Sequence, residues 1–283
     1  MTGFGERVRH TIAENGPLCV GIDPHEALLR AWGLEVSASG VRDFGLRTVE
    51  AAAGRVGIVK PQVSFFERFG SAGFAALEEV VAAARVAGLI VIADAKRGDI
   101  GTTMDAYAAA WLTPGVPLEA DALTVNPYLG VGALTDTFDL ADTHGKGVFV
   151  LAATSNPEAI DLQRAISQGA DQPPRTLPHL VIDDVTAWAL ARGRPDQWSP
   201  IGFVVGATVD HHFSGLPEVL RVPAPILAPG FGAQGAEPAQ LRDRFGKLAP
   251  FVIGSESRSI LSAGPDGLAA RIEERAALYR RER

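Results

Sequence analysis

Cysteine is all but missing from this chain of 283 residues: Cys19, inside Leu18-Cys19-Val20, stands alone. No disulfide can form within the chain, so the fold does not depend on an oxidising compartment. The thiol itself reads as a small buried hydrophobe. Long hydrophobic runs are missing too. Nothing approaches the about 18 consecutive apolar residues that a membrane-spanning helix needs. The stretch from Met1 to Asn15 is charged and mixed, without the apolar core of a signal peptide, and the cytoplasm is the expected compartment. Positive charge is in deficit, with a net charge of -7. That argues against a nucleic-acid-binding surface, and it means that an anionic ligand must be met by a local basic site. Spaced His/Cys sets are lacking. Asp210-His211-His212 offers adjacent side chains that point apart and reads as a polar loop, so no metal is expected. A G-x-S-x-G elbow is absent, which leaves a hydrolase of that class without support.

Lysine is scarce as well. It occurs only at positions 60, 96, 146 and 247, among 26 basic residues. A chain that makes its positive charge from arginine nevertheless places Lys60 and Lys96 at the ends of apolar runs. Lysine can give up a proton and arginine practically cannot, so a proton-transfer role is favoured for at least one of them.

What is present is an alternation. Hydrophobic residues make up 47% of the chain, ample for a large core. Apolar runs at 18–24, 56–61, 89–97, 121–128, 148–156, 201–208, 224–230 and 251–255 read as eight strands. Helical patterns at 6–15, 44–53, 74–87, 104–112, 181–191 and 267–281 fall before, between and after them. Continuously apolar strands alternating with helices imply parallel strands covered on both sides. Eight such units predict an α/β fold, a closed (β/α)8 TIM barrel, as one domain over residues 1–283 with an elaborated connection at about 157–200. Chemistry in this fold sits at the C-terminal strand ends, and there the polar residues fall: Asp23, Lys60, Asp94, Lys96, Asn126, Ser155, Thr208, Gln234 and Arg258.

The centre of the pattern is Asp94-Ala95-Lys96-Arg97-Gly98-Asp99, at the end of Leu89-Ile90-Val91-Ile92-Ala93. Alternate side chains of a strand share a face, so Ile90, Ile92, Asp94 and Lys96 are expected to point one way. Gly98 breaks the strand and Asp99 follows on the turn. Buried charge without a partner is costly, so Asp94 and Lys96 are expected to pair. A structural ion pair capping the strand and a catalytic pair both satisfy this pattern. Residues 230–235, Gly-Phe-Gly-Ala-Gln-Gly, match G-x-G-x-x-G, but late in the chain and after Pro229. A dinucleotide fold normally carries that fingerprint in its first βα turn. In a barrel, glycine amides after strand seven and a basic residue after strand eight make a phosphate site, with Arg258 as the cation.

Taken together, these segments resemble the orotidine 5′-phosphate decarboxylase family, in its bacterial branch of longer chains. The likeness rests on Asp94-x-Lys96-x-x-Asp99 with Ile100 and Thr103 behind it. Val-Gly-Ile-Asp-Pro at 20–24, Val-Lys at 59–60 and Pro-Gly-Phe-Gly-Ala-Gln-Gly at 229–235 add to it. The resemblance implies decarboxylation of orotidine 5′-phosphate to uridine 5′-phosphate without a cofactor. It implies that Lys96 protonates C6 of the pyrimidine, and that Lys60 bridges the ribose and Asp94. Asp23 would hold ribose hydroxyls, Ser155 the pyrimidine edge, Gln234 base and phosphate, and Arg258 phosphate. It further implies a homodimer in which Asp99, Ile100 and Thr103 reach the neighbouring site. Gly254-Ser255-Glu256-Ser257 precedes Arg258, where many relatives have Gly-Arg directly after strand eight. Asn126-Pro127-Tyr128 belongs to the longer-chain branch and receives no role. D-x-K-x-x-D is shared with magnesium-dependent sugar-phosphate lyases of the same barrel, which place an acid at the end of strand two where this chain has Lys60. A non-catalytic phosphate-binding barrel is the other alternative.

Overall fold

A computed structural model describes residues 2–168 and 174–281. Eight parallel strands close into a barrel: β1 (Leu18–Ile22), β2 (Ile58–Pro61), β3 (Ile90–Arg97), β4 (Ala122–Val125), β5 (Gly147–Ala153), β6 (Ile201–Val205), β7 (Ile226–Pro229) and β8 (Val252–Glu256). Each pairs with its neighbours in sequence. β8 returns to β1 with Leu18 opposite Gly254, which closes the sheet. The sequence pattern places all eight; β1, β4, β5, β6 and β7 end earlier than the apolar runs suggest, β4, β5 and β6 by three residues each.

Helix α1 (Phe4–Asn15) does not join the outer ring. Its Phe4, Val8 and Ile12 lie four residues apart on one face and pack into the barrel floor with Cys19, Ile58, Phe149 and Ile253. Phe4 meets Phe149 edge to face, with ring centroids 6.0 Å apart. A side chain at Gly147 would collide with the Phe4 ring at 2.1 Å, so this plug requires glycine there. Cys19 is fully buried beneath it, and burial pushes its thiol pKa up to about 12. The thiol is therefore the inert hydrophobe that the sequence suggests.

The outer ring holds α2 (Ala38–Ala52), α3 (Gly70–Val86), α4 (Gly101–Leu112), α5 (Thr135–Thr143), α6 (Leu177–Ala191) and, after β8, α7 (Gly264–Arg281). Helix α2 starts six residues before its apolar pattern does, because the Ser37 hydroxyl accepts the Gly40 amide at 3.2 Å and caps it. Helix α5 carries Asp136, Asp139 and Asp142 and was illegible as an apolar pattern. The connection from β5 to β6 contains a short antiparallel hairpin, Ile166–Ser167 with Arg175–Thr176, before α6. Among the described residues no helix is long and apolar enough to cross a membrane.

Candidate active site

The floor of the barrel is filled, so a ligand can enter only from the C-terminal strand ends. There a cavity of about 480 Å³ opens. Asp23, Lys60, Asp94, Lys96, Gln234 and Arg258 line it, drawn from five different strands or the loops after them. Asn126, Ser155 and Thr208 are not in its wall. The Asn126 carboxamide instead accepts the Tyr128 amide at 3.0 Å and closes its own turn. Ser155 is exposed beyond the end of β5. Asp99, Ile100 and Thr103 also stand outside the wall. Ile100 is 61% exposed, and Asp99 accepts the Ile100 amide at 2.8 Å.

Asp94 is the hub. Its Oδ2 accepts from Lys60 Nζ at 2.7 Å, and its Oδ1 accepts from Lys96 Nζ at 2.5 Å. Burial disfavours charge on Asp94, but the Lys60 and Lys96 ammoniums outweigh it and hold the carboxyl below the usual carboxylate range. Burial likewise opposes the charge on Lys60, and Asp94, with Asp23 behind it, holds its pKa above the usual lysine value. The two lysines differ in access. The Lys60 side chain is 6% exposed and that of Lys96 is 44% exposed, so Lys96 is the amine that a ligand meets.

The shared face of Asp94 and Lys96 is not a plain strand face. Pairing of β3 with β4 runs Ala93 to Leu123 and then Arg97 to Val125, so the intervening residues bulge. Within the bulge Lys96 has φ 48°, the one positive value for a non-glycine residue among those described. That conformation costs about 1–2 kcal/mol for an L-residue. Such strain persists where the surroundings over-determine it, commonly at functional sites. Two side chains missed by sequence reasoning hold the bulge. Thr124 on β4 accepts the Lys96 amide, and Gln62 donates its Nε2 to the Asp94 carbonyl at 3.1 Å. A polar residue inside the apolar run of β4 was the available signal for Thr124. Gln62 follows Lys60 by two and so shares its face.

Across the cavity, the loop after β7 turns at Gly230, Gly232 and Gly235, with φ 119°, 71° and 99°. Only glycine adopts these values readily. The loop places Gln234 at the rim. β8 ends at Glu256, and Ser257 turns the chain into a short helix that begins at Arg258. Glu256 points outward, 1% exposed, into a bidentate pair with Arg275, while Ser255, Ser257 and Arg258 line the cavity. The Arg258 side chain has no ion pair or hydrogen bond among the described residues. Three cations thus face two carboxylates in the cavity wall, an excess of positive charge in a chain of net charge -7. One Asp23 carboxylate oxygen is buried there without a donor.

A profile of the family described as "Orotidine 5'-phosphate decarboxylase / HUMPS family" matches residues 16–271. An orotidine 5′-phosphate decarboxylase of Salinispora arenicola is 50% identical over 271 residues, 96% of this chain and 94% of that one. One from Corynebacterium glutamicum is 48% identical, with 93% and 92% covered. Among solved structures, a protein of Streptomyces avermitilis superposes with a TM-score of 0.91 at 43% identity, over 100% of this chain and 96% of the other. The Leishmania donovani OMP decarboxylase superposes with a TM-score of 0.72 at 30% identity, over 98% and 99%. By the reach of the profile and the identity to these relatives, the chain belongs to the orotidine 5′-phosphate decarboxylase / HUMPS family.

Proposed function

We propose that this protein decarboxylates orotidine 5′-phosphate to uridine 5′-phosphate, with Lys96 delivering the proton. The observation that carries the reading is one ionised aspartate held between a buried lysine and an accessible one. Loss of carbon dioxide breaks the C6–carboxyl bond and leaves its electron pair on C6. The Lys96 ammonium stabilises that charge as it forms and then gives C6 a proton, recovering one from water afterwards. Asp94, fixed in its charged form, faces the substrate carboxylate; that repulsion vanishes as neutral carbon dioxide leaves. Lys60 keeps Asp94 ionised and reaches the ribose. The donorless Asp23 oxygen suits a ribose hydroxyl. Gln234 and Arg258 are assigned to phosphate. The chain is read as a homodimer that shares Asp99, Ile100 and Thr103 between sites, in keeping with their position outside their own cavity wall.

Two experiments bear directly on this reading. The first removes metal. Lys60 occupies the end of β2, and the described residues contain no group of three His, Cys, Asp or Glu that could hold an ion. Exhaustive chelation is therefore expected to leave the loss of orotidine 5′-phosphate absorbance unchanged. Strict dependence on Mg²⁺ would move the assignment to the sugar-phosphate lyases, and no loss at all would favour a binding barrel. The second removes the rim cation. Arg258→Ala is expected to cost about 3 kcal/mol in kcat/KM, as for a charge-assisted contact. A substrate lacking phosphate should lose little further. Equal losses with both substrates would show that Arg258 does not touch phosphate.

A further inference from the structure

We infer that Thr124 is a positioning residue that sets where Lys96 presents its proton, an inference that rests on the decarboxylase reading above. Thr124 is 1% exposed on β4, directly across from the bulge in β3. Ladder pairing is lost between Ala93 and Arg97, so the Lys96 amide has no strand partner, and Thr124 Oγ1 accepts it at 2.9 Å. The same oxygen lies 3.0 Å from Asp94 Oδ1. An ionised carboxylate can only accept, so the single hydroxyl hydrogen must go to Asp94. Its lone pair is then left for the Lys96 amide.

One buried hydroxyl therefore joins the backbone of the proton donor to the carboxylate that holds the donor's ammonium. It satisfies the amide of the residue with φ 48°. It also fixes the rotation of Asp94 from the oxygen that Lys96 uses, while Lys60 holds the other. Without it, the amide of the left-handed turn at Lys96 has no protein partner, and the bulge can relax toward ordinary pairing. The ammonium would then leave the place at which C6 must sit. The Thr124 side chain need not touch substrate for this; it acts through Lys96 and Asp94.

The test compares Thr124→Val, which keeps the shape and loses the hydroxyl, with Thr124→Ser, which keeps the hydroxyl. Thr124→Val is expected to lower kcat about a hundredfold, as for a reacting group displaced by about an ångström, with KM and affinity for uridine 5′-monophosphate little changed. Thr124→Ser is expected to recover most of kcat. A wild-type kcat in Thr124→Val, or an equal loss in Thr124→Ser, overturns the proposal. So does a loss expressed in KM alone. If Thr124→Val does not fold, Thr124→Ala carries the same expectation; failure of both to fold makes the hydroxyl a requirement of the fold and likewise overturns it. A wild type that leaves orotidine 5′-phosphate untouched removes the decarboxylase reading and this one with it. An active wild type beside an unaffected Thr124→Val removes this one alone.

Discussion

Lys96→Ala and Asp99→Ala homodimers, each nearly inactive alone, should recover about a quarter of wild-type activity when mixed under subunit exchange. Lys96→Ala removes the proposed proton donor and its charge, and a fall of about 10⁴-fold or more is expected. Asp99 lies three residues further on, past Gly98. A side chain at Gly98 would meet the Asn126 carbonyl at 2.6 Å, so glycine is what lets the chain leave the barrel here. Beyond it, Asp99, Ile100 and Thr103 lie outside the wall of their own cavity. If they serve the neighbouring site, a mixed dimer has one site with both defects and one with neither. Random pairing makes about half of the dimers mixed, each with one intact site, which gives the quarter for independent sites in a two-fold dimer. Exchange confirmed by mass without any return of activity would place Asp99 in its own subunit's site.

Asp94→Asn is expected to cost about 3–5 kcal/mol of stability as well as activity, because it leaves Lys60 buried without its charged partner. Its pH dependence follows from the direction of each pKa. The Asp94 carboxyl is held below its ordinary value. Its contribution is thus complete above the unfolded value of about 3.9 and is lost as pH falls through the folded one. Lys60 is held above its ordinary value, so its contribution is complete below about 10.4 and is lost as pH rises through the folded one. Urea unfolding between about pH 4 and pH 2 should therefore show the wild type losing more stability than Asp94→Asn. Parallel losses in that window would mean that Asp94 is not held ionised by its lysines.

The two lysines at strand ends were legible as candidates because lysine is rare in this chain and each follows an apolar run. Their partner was legible too, since a buried carboxylate two residues before an amine calls for pairing. Arg258 was harder. Strict alternation would set it on the outward face with Glu256, and it reaches the cavity wall because the chain leaves the strand at Ser257. Ser155 was legible as a polar residue at a strand end; in the structure it follows the last residue of β5 by two, exposed and outside the cavity wall.

The eight strands, the barrel and the polar residues at its C-terminal end could be read from the chain alone. Strand periodicity, apolar runs and the polar residues that stop them are local properties, written in consecutive residues. The plug of Phe4, Val8 and Ile12 in the barrel floor, the bulge in β3 and the left-handed turn at Lys96 emerge in the folded chain alone. Each of these depends on groups far apart in the chain. The plug needs Gly147 to clear the Phe4 ring, and the turn at Lys96 needs the Thr124 hydroxyl from the next strand. A pattern within one segment cannot report a contact made with another, and the Lys60–Asp94–Lys96 geometry is built from such contacts.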